Sequence, residues 1–309
     1  MTTQPLAPQG LDRPPARDLP IIAVAVLAVS TSGPLIAAAV VPALAIAFWR
    51  NAMASAVLAP VVLLRRRDEL RRLDRRERGL ALLAGLLLAL HFATWVPAVG
   101  LTTVASATAL VGTQPVWSAL IARARGEAVT RQVWLGIAVA LSGALLLTGA
   151  DFRVSGDALV GDLLALVGGI FAAGYMAAGS EVRRSVSTTT YTALCYSTCS
   201  VLLLITCLVG GQDLSGYRGV DWVKLIALTA GAQLLGHSLF NVVLKTTSPT
   251  VVSMSILFEI PGAAVIAAIF VKGQHVPLLA IPAAVLLLLG LGVVIRSAGR
   301  ATEPALPVE

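Results

Sequence analysis

Long apolar runs alternate with short polar stretches along all but the ends of this 309-residue chain. The runs fall at 20–40, 43–64, 79–99, 103–122, 132–150, 158–180, 188–210, 222–244, 249–271 and 278–296. Each is close to the ~20 residues that a helix needs to cross hydrocarbon. The pattern predicts an all-α integral membrane protein with ten transmembrane helices. The run at 188–210 is the most polar, with Thr188, Thr189, Thr190, Tyr191 and Tyr196, and a re-entrant or interfacial segment is its alternative reading. Residues 1–19 hold Pro5, Pro8, Pro14 and Pro15 among polar neighbours and predict a disordered cytoplasmic tail. The apolar run that follows has no small-residue cleavage site after a short core, so it reads as a retained anchor. Residues 297–309 read as a second cytoplasmic tail.

Composition supports lipid as the solvent. Hydrophobic residues make up 57% of the chain, charged residues 13%, and the mean hydropathy is +0.86. A soluble domain carries about 25% charged residues. A net charge of +7 would suggest nucleic acid in a soluble protein, but the placement of the charges explains it without that partner. With both termini cytoplasmic, the outer side holds only Arg50, Arg153, Arg218, Lys224 and Lys272 of the 23 basic residues. The other 18 fall inside, eight of them Arg between 65 and 78. Such a bias marks the cytoplasmic loops, and a cell (inner or plasma) membrane location is the expectation. Within 65–78 only Leu70 and Leu73 are apolar, so the segment reads as a solvated loop and not an amphipathic membrane helix. Cys195, Cys199 and Cys207 share one apolar run with no other ligand nearby, and read as small packing residues.

A few polar side chains interrupt the spans, and they carry the candidate chemistry. Gln233, His237 and Asn241 recur at i, i+4 and i+8, which places them on one face of a helix. Glu259 stands in an apolar run, two residues before Pro261. Ionisable groups at such depth survive where they line a protein-walled or wet cavity, and a proline there frees a backbone carbonyl. The arrangement recurs: His91 to His237 is 146 residues and Pro115 to Pro261 is again 146, with Trp95 then opposite Asn241 and Thr113 opposite Glu259. Five spans per half reverse the second half in the membrane, so the ten helices are expected as a 5+5 inverted-topology repeat with a midplane site. The first repeat is expected at 20–150 and the second at 158–296.

Each candidate also has a plainer reading. Glu259 is a proton or substrate-cation site, or a structural partner of a histidine. His91 and His237 titrate near neutral pH when unperturbed and suit a proton relay, or they make interhelical hydrogen bonds. Trp95 and, beside Gln114, Trp117 are aromatic walls for a cation, or packing and interfacial anchors. Arg50, next to Asn51, recognises a substrate carboxylate or snorkels to the outer interface. Ala165, Gly169, Ala173 and Ala177 form a ladder of small residues suited to close helix packing. Neither H-E-x-x-H nor a phosphate-binding loop occurs, and His91, His237 and His275 are isolated in sequence, so an enzyme is not expected.

Several short motifs resemble a known family. In the first half Pro115 is followed by Gly126-Glu127, Thr130, Trp134-Leu135-Gly136-Ile137 and Ser142-Gly143. In the second half Asp162-Leu163-Leu164-Ala165-Leu166 leads to Tyr175 and Arg183-Arg184, then Phe258-Glu259-Ile260-Pro261. These are similar to helices of EamA-type domains, and residues 20–296 resemble two such domains in tandem, as in the drug/metabolite transporter superfamily. The chain departs from that pattern at Lys272-Gly273, where the family repeats Gly-Glu, and at Pro282, the match of Gly136. The resemblance implies a secondary active transporter, an exporter of small organic metabolites such as amino acids or drug-like solutes. Its partners would be that substrate and membrane lipid. No cofactor is expected, with proton coupling as the energy source to test. A passive facilitator or channel is the alternative, and a membrane-embedded enzyme ranks below it.

Overall fold

A computed structural model describes residues 14–102, 104–148, 156–270 and 279–298. Most of the expected tails, and the stretches with Arg153, Lys272, Gly273 and His275, lie outside the described residues. In chain order the helices are α1 (Asp18–Val29), α2 (Ser32–Ala38), α3 (Ala43–Arg65), α4 (Arg67–Arg72) and α5 (Arg75–Leu101). Next come α6 (Val104–Val111), α7 (Gln114–Ala124), α8 (Arg131–Thr148), α9 (Gly156–Val182) and α10 (Thr188–Val209). Then follow α11 (Gly219–Leu228), a π-helical segment (Thr229–His237), α12 (Ser238–Val243), α13 (Pro249–Ile256), α14 (Glu259–Phe270) and α15 (Ala280–Ala298). The described residues contain no strand.

Seven helical segments are long and apolar enough to cross a membrane: Asp18–Ala38, Ala43–Arg65, Arg75–Leu101, Gly156–Val182, Thr188–Val209, Gly219–Val243 and Pro249–Ile266. Arg131–Leu146 and Ile281–Ser297 are shorter apolar helices. Large apolar side chains such as Leu27, Leu64, Leu159, Val209, Ile269 and Ile281 point outward, as a lipid-facing surface requires. The polar run near 188 is a continuous helix, capped by Ser187, whose hydroxyl accepts from Thr190 N. The tail boundary needs correction at both ends. Asp18 and Leu19 already belong to α1, and Ser297 and Ala298 still belong to α15.

Small residues set the helix crossings. A Cβ at Gly168 would lie 3.2 Å from Trp95 Cβ, and one at Gly169 would lie 2.9 Å from Val111 O. These contacts fix α9 tightly against α5 and α6, and they give the small-residue ladder its packing role. Helices α8 and α15 meet through Gly136 and Gly290: a Cβ on either would fall within 2.7 Å of the other's carbonyl oxygen. Cys195, Cys199 and Cys207 are free and buried in α10, which packs on α3 and α5.

Polar ties close the helix ends. Glu69 of α4 accepts from Ser187 N at 2.6 Å, Ser187 Oγ at 2.7 Å and Thr190 Oγ1 at 2.7 Å. Asp18 accepts from Thr246 and Thr247. At the opposite ends of the helices Asp221 holds Arg218, Lys224 and the backbone N–H of Val40. Partial burial alone would push the Glu69 carboxyl up, but the hydrogen bonds from Ser187, Thr190 and Arg66 outweigh it and hold it below the usual carboxylate range. A depressed carboxyl stabilises the fold above the unfolded value of ~4.3, and that contribution fades as pH falls through the lower folded value. Glu69→Ala should therefore speed hydrogen exchange at Ser187 N at neutral pH, whereas wild type should open there only in acid. Equal protection in both proteins would remove Glu69 from this role.

Candidate functional site

Four interruptions in the helices surround one cavity. The first is the gap between α1 and α2, where Ser30 and Thr31 hydroxyls donate back to Val26 O and Ala28 O. Such bonds compete with the helical ladder. The second separates α6 from α7 at Gly112 and Thr113, and the third separates α13 from α14 at Leu257 and Phe258. The fourth is the π-helical segment that ends at His237. Val29 and Ser32, Gly112 and Gln114, Leu257 and Glu259, and His237 all line the same space, of about 50 Å³. Irregular backbone at membrane depth is tolerated where it faces such a cavity. Leu88, His91 and Trp95 of α5 and Ala172, Tyr175 and Met176 of α9 complete the walls.

The prolines do not break the helices where they stand. Pro115 and Pro261 each sit in the first turn of the helix that follows a break, where the missing N–H would have no helical partner anyway. Glu259 lies within the span Pro249–Ile266 and is the first residue of α14. The helix dipole favours a carboxylate there. Glu259 is half-buried and makes no ion pair among the described residues.

Around the carboxyl the side chains are ordered by specific contacts. His91 Nδ1 lies 3.0 Å from Gly168 O. A carbonyl only accepts, so Nδ1 carries a proton, and Nε2 is the free position of a neutral ring. Trp95 stacks on His91 at 5.9 Å with 7° between the planes. Phe92 meets His237 edge-on at 5.8 Å, and the Arg50 guanidinium lies 4.2 Å from the Phe92 ring centre. Arg50 Nε donates to Gln233 Oε1 at 2.9 Å and Nη1 to Ser32 Oγ at 3.3 Å. Gln233 Nε2 donates to Asn51 Oδ1 at 3.1 Å. Asn241 Nδ2 donates to Tyr175 Oη at 2.6 Å and to His237 O at 2.9 Å. Arg50 Nη2, Trp95 Nε1, His237 Nδ1 and Asn241 Oδ1 are buried without a partner among the described residues.

Thus His91, Trp95, Gln114, His237 and Glu259 meet at one cavity, with Gln114 Nε2 3.0 Å from Met176 Sδ. Arg50, Gln233 and Asn241 stand behind its wall, each with 0% exposure. Arg50 does not snorkel. Trp117 is not among the lining residues, and its indole donates to Thr113 Oγ1. Gln233, His237 and Asn241 meet different neighbours: Gln233 bonds Asn51 of α3, His237 at the end of the π-helical segment lines the cavity, and Asn241 bonds Tyr175 of α9. Ser32 and Thr108 went unnoticed in the sequence, where a hydroxyl beside glycine or alanine gives no signal. Tyr175 stood there only as a family motif, although a lone Tyr in a Gly- and Ala-rich span is a usable one.

The profile of the EamA-like transporter family matches residues 19–149 and again 159–296. The chain belongs to that family. It is a membrane protein of the drug/metabolite transporter kind, as the family and the apolar helices together indicate. No curated protein matches it significantly. Among solved structures, one crystal structure of a protein aligns with a TM-score of 0.73 at 20% identity, over 93% of this chain and 99% of that one. At that identity the likeness shows a shared fold alone.

Proposed function

We propose that this EamA-family protein is a secondary active transporter that exports small organic metabolites, such as amino acids or drug-like solutes, by alternating access. The observation that carries the reading is the convergence of four helix interruptions on the cavity that holds Glu259, His91 and His237. Broken helices facing a shared site are how alternating-access carriers expose a site to each side in turn. The ten-helix, 5+5 inverted arrangement accords with the breaks: Gly112–Thr113 and Leu257–Phe258 fall next to prolines 146 residues apart. The charge bias supports a cell-membrane location with cytoplasmic termini.

About 50 Å³ holds a few waters and not an organic solute. Transport on this reading requires the half-helices α6–α7 and α13–α14 to part. Glu259 supplies the group for proton coupling, and no other cofactor is invoked. A passive facilitator is the alternative. Counterflow in proteoliposomes separates the two: a carrier drives labelled solute uphill when unlabelled solute flows out. Flux that ignores an opposing gradient would favour the facilitator.

A further inference from the structure

Arg50 is a buried cation with no direct ion pair among the described residues, and Glu259 acts on it only through space. Its guanidinium is wholly enclosed, yet it touches only neutral groups: the Gln233 carbonyl, the Ser32 hydroxyl and the Phe92 ring. No carboxylate lies within ion-pair distance among the described residues. Nη2 has no hydrogen-bond partner among the described residues. Burial of an unpaired charge is strongly unfavourable unless something compensates it.

The surroundings orient this cation without neutralising it. Asn51 Nδ2 is held by Ala47 O, which leaves Asn51 Oδ1 to accept from Gln233 Nε2. That bond turns the Gln233 carbonyl oxygen toward Arg50 Nε. Nε and Nη1 are thereby fixed while Nη2 remains open. Ser32, the hydroxyl on Nη1, is the first residue of α2 after the break and itself lines the cavity. One hydroxyl therefore separates the cation from the space where a solute would sit.

We infer that the transported solute carries a carboxylate, and that Arg50, held by Gln233 and reached past Ser32, anchors it. The inference rests on the transport reading. A guanidinium with one nitrogen open suits a carboxylate, which accepts a charge-assisted N–H bond from Nη2. Leu88, Val111, Met176, Ile256 and Leu257 on the cavity walls suit an apolar remainder. The solute class is a monocarboxylate or amino acid with an apolar side chain.

The test uses the full chain in proteoliposomes loaded with a defined pool. The pool holds the common amino acids, short aliphatic and aromatic monocarboxylates including phenylacetate, and matched amides and amines including L-phenylalaninamide and phenethylamine. Mass spectrometry reads what leaves relative to protein-free vesicles. Wild type should release carboxylate-bearing compounds and discriminate against their amides and amines. Arg50→Gln should weaken binding of the released compound about 10- to 100-fold, as loss of a charge-assisted hydrogen bond implies. Arg50→Lys should recover part of it, because it restores charge but not the fork; a purely structural arginine would not give that order. Wild-type discrimination decides the matter even if Arg50→Gln fails to fold. Release of amines or amides as readily as acids would overturn the inference and leave transport standing. Release of nothing from the pool would overturn both.

Discussion

Glu259→Gln should abolish uphill transport and flatten its pH dependence, while the protein still folds and reaches the membrane. Gln keeps the size of the side chain and its ability to hydrogen-bond, but it cannot exchange a proton. Glu259 lines the cavity with His91 from α5 and His237 at the end of the π-helical segment, and Arg50 of α3 lies behind the wall. Arg50 is the cation that acts on the carboxyl through space, and each conformational exchange would change that carboxyl's access to water. We expect at least a tenfold fall in uphill flux with counterflow less affected, measured against pH in the same vesicle preparation as wild type. Equal rates and an equal pH profile would mean that the carboxyl is structural and that coupling lies elsewhere.

Gly290→Val should be the most damaging change outside the cavity. A Cβ there meets Gly136 O at 2.5 Å and both Ala140 Cβ and Ala140 N at 2.7 Å. Two of those atoms are backbone, so no rotamer change relieves the clash, and α8 and α15 must separate. Overpacking of this kind costs about 1–3 kcal/mol, occasionally more. With no hydrophobic effect to hold helices together in lipid, lost close packing is not replaced. Gly292, two residues on in the same helix, has nothing within 4 Å of an added Cβ. Gly292→Val should therefore stay near wild type in thermal aggregation assays in detergent, while Gly290→Val should melt several degrees lower or fail to accumulate. Equal stability of the two variants would refute the close crossing.

Seven of the apolar runs were legible because each is long enough for composition alone to mark it. The prolines at 115 and 261 correctly pointed to broken helices, and the 146-residue repeat led to the histidines that share the cavity. The position of the breaks was less legible. Proline suggests disruption at its own site, yet Pro115 and Pro261 begin new half-helices and the interruption lies before them. The π-helical segment had no local signature. It lies against α1, where Gly236 comes so near Val29 that a Cβ would sit 2.6 Å from Val29 Cγ1, a contact between residues more than 200 positions apart. The fate of Arg50 was hidden for a similar reason. Sequence gives its distance from a helix end, but only the fold brings Gln233, Ser32 and Phe92 around it. The ladder of small residues on α9 was readable because glycine and alanine at helical spacing have few other uses in a membrane.

Alternating access at this cavity is the central claim, and Ser32→Cys tests it most directly. Ser32 lines the cavity and is buried, and Cys is close to it in size. With Cys195, Cys199 and Cys207 replaced, a membrane-impermeant maleimide is applied to right-side-out and to inside-out vesicles in separate reactions. The account predicts slow labelling of residue 32 from both faces, accelerated when solute turnover is driven. Labelling from one face only, with or without turnover, would contradict it.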